Sequence, residues 1–260
     1  MRRLLRVTLY FIIGFYLVFV FVAAFLADRM IFYPQPSSYT DDARITKLKT
    51  SDGNTISAIY LPNPQAKFTI LYSHGNAEDI GELEPLFREL HDAGFAVLGY
   101  DYEGYGTSEG APSEKRTYLD EQAAYDFLVK EQRVPTERVI LFGRSVGTGP
   151  AIDLAARAPV GGLIVQSGFT SAFRVLARFP LVPFDKFRNL DKIRRVKCPV
   201  LVIHGRRDNV IPFAHGERLY AAAPGKKMFL WADAAGHNDF EWLARDRYLP
   251  AIQEFASTLE

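Results

Sequence analysis

Val139-Ile140-Leu141-Phe142-Gly143-Arg144-Ser145-Val146-Gly147-Thr148-Gly149 is the stretch on which the reading of this chain turns. An apolar run enters G-x-S-x-G and an Ala-rich segment leaves it, which predicts strand, sharp turn and helix. A turn of this kind lifts the serine hydroxyl beyond the end of a sheet, and glycines at 143 and 147 leave room where a Cβ would clash. The same five residues also describe an ordinary Gly-Ser loop. The rest of the chain must supply partners for Ser145.

Outward from that turn, apolar runs alternate with helical spacing. Toward the N-terminus, 44–50 and 55–61 alternate apolar and polar residues around Asp52-Gly53-Asn54, a β-hairpin pattern. Strand 68–73 runs into His74-Gly75-Asn76-Ala77, and helical spacing over 83–91 closes at Gly94. Strand 96–101 and a helix over 113–131, capped by Ser113, complete that half. Toward the C-terminus come strands 163–166, 200–204 and 226–231, a helix near 215–222 and a last helix over 239–255. Such alternation predicts an α/β fold, a mainly parallel eight-stranded sheet with helices on both faces and ligands at the carboxyl ends of its strands. The irregular insert 168–197 interrupts the pattern as a candidate lid.

Fourteen of the twenty-one positions from Val7 to Ala27 are Val, Leu, Ile or Phe, and none is charged. At 1.5 Å per residue a helix there spans roughly 30 Å, the thickness of a bilayer core. The run exceeds the 7–15 residues of a typical signal-peptide core and no small-x-small site follows, which favours an anchor over a cleaved leader. Arg2, Arg3 and Arg6 precede it while Arg29 beside Asp28 follows it, so the positive-inside rule leaves the N-terminus in the cytoplasm and the body outside the cytosol, which is the periplasm if the source is a Gram-negative bacterium. The expected organisation is tip and anchor over 1–28, a connector over 29–43, and a catalytic domain over 44–260. A net charge of +1 excludes the electrostatic footprint of a nucleic-acid binder. The single cysteine, Cys198, excludes an internal disulfide and paired-thiolate metal sites, and its place before Pro199 predicts a packing role.

A serine hydroxyl needs a general base within reach and a group that fixes the base's tautomer. Strand 200–204 is followed by Gly205-Arg206-Arg207-Asp208 and strand 226–231 by Ala234-Ala235-Gly236-His237, placing Asp208 and His237 on the rim that carries Ser145. The order Ser, Asp, His is that of strand-turn-helix hydrolases. Among the rivals, His204 ends a strand inside the sheet, and His91 and His215 fall in helices. Asp101 precedes the serine, Asp185 and Asp191 lie in the insert, and Asp233 and Asp239 are too close to His237 in sequence. Backbone N–H groups of Val146, at a helix start, and of Asn76, in the loop after strand 68–73, are the expected oxyanion donors. Phe169, Phe173, Phe179, Phe184 and Phe187 of the insert either line an acyl pocket or fasten the insert to the body.

Ser73-His74-Gly75-Asn76-Ala77, Asp101-Tyr102-x-Gly104-Tyr105-Gly106, Gly143-Arg144-Ser145-Val146-Gly147-Thr148 and Ala235-Gly236-His237-Asn238-Asp239 resemble motifs of the α/β-hydrolase superfamily. More narrowly they are similar to the branch of small membrane-associated serine hydrolases that includes protein depalmitoylases. The resemblance runs from about Ile31 to the C-terminus. It implies Ser145 as nucleophile, Asp208 as acid, His237 as base, Asn76 and Val146 as oxyanion donors, and an α/β-hydrolase fold. Depalmitoylases of that branch hold the membrane through an acylated, cysteine-rich N-terminus, whereas this chain carries an apolar helix and no cysteine there.

The expected function is a membrane-anchored serine esterase or thioesterase acting on a small-molecule, lipid or acylated substrate, without metal or organic cofactor. An amidase or aminopeptidase on the same triad, with Glu103 or Glu109 holding a charged terminus, and a catalytically silent interaction module are the alternatives.

Overall fold

The computed structural model describes residues 2–177, 179 and 181–259; Met1 and Glu260, and Arg178 and Pro180 of the expected insert, lie outside the described residues. Eight strands form one sheet: β1 (Ile45–Lys49), β2 (Thr55–Leu61), β3 (Thr69–Ser73), β4 (Ala96–Tyr100), β5 (Val139–Arg144), β6 (Gly162–Gln166), β7 (Val200–Gly205) and β8 (Lys227–Ala232), in the order β1-β2-β4-β3-β5-β6-β7-β8. The hairpin strands β1 and β2 pair antiparallel with each other, β2 pairs antiparallel with β4, and every other neighbour is parallel. The carboxyl ends of β3, β5, β6, β7 and β8 therefore share one rim.

The central strands are apolar on both faces because each face is covered. Leu71, Leu141, Leu163, Val165 and Val202 pack into one core with residues of α3 (Glu114–Asp126), α4 (Thr148–Ala155) and α7 (Ala214–Ala222). Their neighbours Ile70, Ile140, Phe142, Ile164 and Ile203 turn the other way, onto α2 (Glu84–Asp92), α8 (Phe240–Leu243) and α9 (Arg245–Ser257). Two short helices, α5 (Ala172–Leu176) and α6 (Asn189–Ile193), are the regular elements among the described residues of the stretch 168–197.

Three elements differ from the sequence reading. The helix capped by Ser113, whose side chain accepts from the Arg116 amide at 3.3 Å, ends as an α-helix at Asp126 and widens into a π-turn over Phe127–Glu131. The last helix is two, broken at Ala244, where φ −115° and ψ 20° leave the helical region. The break lets Phe240 enter the core while Glu241 accepts a bond from Gln166 Nε2 at 2.6 Å. The N-terminal helix α1 (Arg2–Ile31) runs beyond Ala27, and its Leu5–Ile31 portion is long and apolar enough to cross a membrane.

α1 is not a free rod. Asp28 pairs with Lys186 at 3.1 Å and accepts from the Glu114 amide, and Phe32 just beyond the helix meets the Phe187 ring edge-on at 5.9 Å between centroids. The end of α1 is thereby fixed to α3 and to the stretch after β6.

Candidate active site

Ser145 follows β5 with φ +51°, a left-handed conformation rarely adopted by a residue with a Cβ. The strain is held by close packing on both sides. A Cβ on Gly147 would stand 2.1 Å from the Ser73 carbonyl oxygen, and one on Gly143 would stand 2.5 Å from the Gly147 oxygen. Only glycine lets the turn press against the end of β3. The chain then passes through one 3₁₀ turn, Ser145–Gly147, into α4.

The loops after β7 and β8 bring the other two groups to this turn. His237 Nε2 lies 3.0 Å from Ser145 Oγ, and His237 Nδ1 lies 2.8 Å from Asp208 Oδ2. Asp208 Oδ1 accepts from the amides of Val210 at 2.9 Å and Ile211 at 2.7 Å. Burial pushes the Asp208 carboxyl up, but hydrogen bonds from His204 and His237 outweigh it and hold the group well below the usual carboxylate range. Asp208 is thus a fixed anion facing one ring nitrogen of His237 while the other faces Ser145, the geometry of a serine made nucleophilic by an oriented imidazole.

His204 supports Asp208, its Nε2 3.4 Å from Oδ2, and the other rivals are occupied elsewhere. His204 is buried and approaches the Ile211 carbonyl at 2.9 Å, His215 approaches Thr170 Oγ1 at 3.0 Å, and His91 lies in α2. Asp101 faces the buried His74 at 3.4 Å, accepts from the Ile80 amide at 2.9 Å and takes the Tyr39 hydroxyl at 2.6 Å, which ties the loop after β3 to the loop after β4. Asp185 accepts from Ser171, Asp191 pairs with Arg188, Asp233 with Arg206, and Asp239 accepts from the Gly236 amide.

Val146 is the second residue of the 3₁₀ turn Ser145–Gly147, whose first N–H groups have no partner within the turn. In the loop after β3 the Gly75 amide donates to Glu78 and the Ala77 amide to Asn76 Oδ1, so the neighbours of the Asn76 amide are both engaged. The Asn76 side chain has a second use that sequence reasoning missed. Its Oδ1 accepts from the Tyr33 amide at 2.8 Å and the Tyr105 hydroxyl at 2.6 Å, and its Nδ2 donates to the Ile31 carbonyl at 2.6 Å. Also missed was Arg144, which donates to Glu78, reaches Asn238 Oδ1 at 3.3 Å and lies 3.6 Å from Glu241. It joins the loops on either side of Ser145; its place beside the serine was the one signal available.

The five phenylalanines separate. Phe169 and Phe187 are buried in the core, their rings perpendicular at 6.0 Å, and Phe187 fills the space over Gly149. Phe173, Phe179 and Phe184 instead line a cavity of about 930 Å³ between α1 and the stretch 168–197. Burial pushes the Cys198 thiol up to about 12, which suits a packing role rather than a reactive one.

Residues 64–181 match the family described as "Serine aminopeptidase, S33". Among solved structures, an esterase from Pyrococcus furiosus superimposes with a TM-score of 0.74 at 18% identity over 87% of this chain and 98% of that one. An esterase from Rhodococcus sp. does so with a TM-score of 0.67 at 19% identity over 84% and 100%. Both likenesses establish the α/β-hydrolase fold. In sequence the chain is 41% identical over 220 residues to the α/β-hydrolase domain-containing protein aho-3 of Caenorhabditis elegans, covering 82% of this chain and 64% of that one. Against human α/β-hydrolase domain-containing protein 17B it is 40% identical over 215 residues, covering 80% of this chain and 73% of the relative. At that identity and coverage, on that fold, the chain belongs to the α/β-hydrolase superfamily, in the branch of the α/β-hydrolase domain-containing proteins that its four motifs resemble.

Proposed function

We propose that this hydrolase is a membrane-anchored serine esterase or thioesterase that works through an acyl-enzyme on Ser145. The observation that carries the reading is the unbroken line Ser145 Oγ, His237, Asp208, at 3.0 and 2.8 Å. Ser145 Oγ attacks the substrate carbonyl carbon while His237 Nε2 takes its proton, and Asp208 keeps Nδ1–H pointed away and balances the imidazolium. The negative oxygen of the tetrahedral intermediate is held by the amides of Val146 and Asn76. Collapse expels the alcohol or thiol, which leaves with the proton from His237. Water activated by the same imidazole then releases the acid and restores Ser145.

α1 serves as the anchor in this reading, N-terminus in the cytoplasm and body outside the cytosol, because Arg3 and Arg6 precede its apolar run. A fluorophosphonate probe is expected to label the wild-type protein and to leave Ser145→Ala unlabelled; equal labelling of the two rejects Ser145 as the nucleophile.

The match to a family described as serine aminopeptidase supports a second reading, peptide-bond hydrolysis on the same triad. The two carboxylates expected to hold a charged terminus are engaged at the far edge of the sheet. Glu103 accepts from Asn54 and faces Arg116, and Glu109 accepts from the Thr55 amide. Parallel rates on short-chain esters, acyl thioesters and aminoacyl amides separate the readings, and faster turnover of the amides selects the second.

A further inference from the structure

The cavity of about 930 Å³ beside α1 does not include the triad in its walls. One side is α1 itself, through Phe19, Val22, Ala23 and Leu26, and the other is the stretch after β6, through Phe179 and Val182. We propose that this cavity receives one acyl chain of a glycerolipid directly from the surrounding bilayer, so that the helix is a wall of the binding site as well as an anchor. The proposal rests on α1 spanning the membrane and deepens the esterase reading by naming the substrate class.

Depth supports it. The first charge after the apolar run is Asp28, so Phe19 to Leu26 lie on the hydrocarbon side of the boundary. The opposite wall goes down with them: Phe179 and Leu181 are 75% and 59% exposed, which suits lipid contact and not water. The Leu181 carbonyl accepts from the Tyr16 hydroxyl at 3.3 Å. Tyr16 lies about 18 Å of helix before Asp28, at 1.5 Å per residue, and a backbone carbonyl carried to such depth needs a partner of this kind. The walls also carry polar side chains, Thr170, Ser171, Asp185 and Arg188. An amphiphile fits with its tail toward the bilayer and its head toward the body.

The polar wall residues follow β6, which ends beside Ser145. β6 runs beside β5 with Gln166 opposite Arg144, so the chain leaves the sheet next to the serine and reaches the cavity wall at Thr170. On the other flank the wall residue Ile31 is held by its carbonyl to Asn76, in the loop beside the nucleophile turn. A volume of about 930 Å³ lies within the range of about 300–1,000 Å³ for small-molecule sites. Because α1 and the exposed Phe179 and Leu181 form its walls on the hydrocarbon side, the cavity favours a lipid entering sideways over an acylated polypeptide arriving from the aqueous side, and the Asp28–Lys186 pair fixes α1 to the body.

The test uses the full chain as Ser145→Ala in phosphatidylcholine nanodiscs, with a monoacylglycerol carrying a diazirine on its palmitoyl chain. Cross-links at Phe173 and Phe184 are expected. They should fall about tenfold or more when Ala23→Trp fills the cavity and stay unchanged with Phe21→Trp, outside its walls. In protein with Ser145 intact, Ala23→Trp is expected to lower 1-palmitoylglycerol hydrolysis by a similar factor, and Phe21→Trp, outside the walls, to leave it unchanged. Absence of cross-links at Phe173 and Phe184, or their persistence in Ala23→Trp, overturns the proposal. So does cleavage of an S-palmitoylated peptide with no cleavage of the glycerolipid. Normal cross-linking in a protein that hydrolyses no ester overturns the esterase reading alone and leaves the lipid site standing.

Discussion

Asp208 accepts two backbone amides on one oxygen and faces His237 with the other, so its position is fixed before any substrate arrives. Replacing it with Asn exchanges an anion for a neutral amide and frees the imidazole to take the wrong tautomer. Asp208→Asn is therefore expected to lower kcat by about 10⁴-fold with little change in KM, read on a soluble short-chain ester. A second buried carboxyl predicts a pH dependence of stability. Burial, opposed by hydrogen bonds from Ser73 and Tyr100, pushes Glu121 up to about 7. The native state then holds that proton more tightly than the unfolded chain. The contribution to stability is therefore complete below the unfolded value of about 4.3 and is lost as pH rises toward about 7, on the order of 3 kcal/mol in all. Calorimetry at about pH 5 and about pH 8 should find a smaller loss of Tm in Glu121→Gln than in wild type, and an equal loss in both removes Glu121 as the cause.

At the scale of the element, the turn at Ser145 forms because three segments meet without side chains between them. A Cβ on Gly147 meets the Ser73 and His74 carbonyl oxygens at 2.1 and 2.6 Å, and both belong to backbone that cannot step aside. Gly147→Ala is expected to cost about 1–3 kcal/mol or more and to lower fluorophosphonate labelling, because the strain falls on the loop that carries Asn76. Arg144 acts across the same elements. Its guanidinium, 11% exposed, ties the loop after β3 through Glu78 and the loop after β8 through Asn238. Arg144→Met leaves the Glu78 carboxylate uncompensated and is expected to cost about 3 kcal/mol, with a lower kcat on the short-chain ester. A variant as stable and active as wild type would show that the two loops hold their places alone.

The molecule as a whole joins a sheet enzyme to an apolar helix at one corner, through Asp28, Phe32 and Asn76. In the anchored topology we propose, that corner sets which way the rim faces relative to a bilayer, and the arginines before α1 set which side it occupies. An alkaline phosphatase fused after residue 260 and expressed in a bacterial host is expected to be active, and a green fluorescent protein at the same place dark. The reverse pattern puts the body in the cytosol and overturns the topology.

Much of this was legible in the sequence because periodicity is a local property. Val139–Phe142 alternates between two faces whatever lies around it, and G-x-S-x-G must turn sharply wherever it occurs, so the order of strands and helices followed from the chain alone. The expectation that Asp208 and His237 stand near Ser145 came from the parallel sheet, which collects strand ends on one rim. What only the tertiary structure decided depends on contacts between segments distant in sequence. The five phenylalanines of the stretch 168–197 look alike in composition, yet Phe169 and Phe187 close the core over Gly149 while Phe173, Phe179 and Phe184 face the space beside α1. Arg144 reads as a spacer in the motif until Glu78 and Asn238 are seen on either side of it. The residues beside Ser145 were set by local backbone geometry, whereas the cavity beside the helix exists only because two separate surfaces meet there.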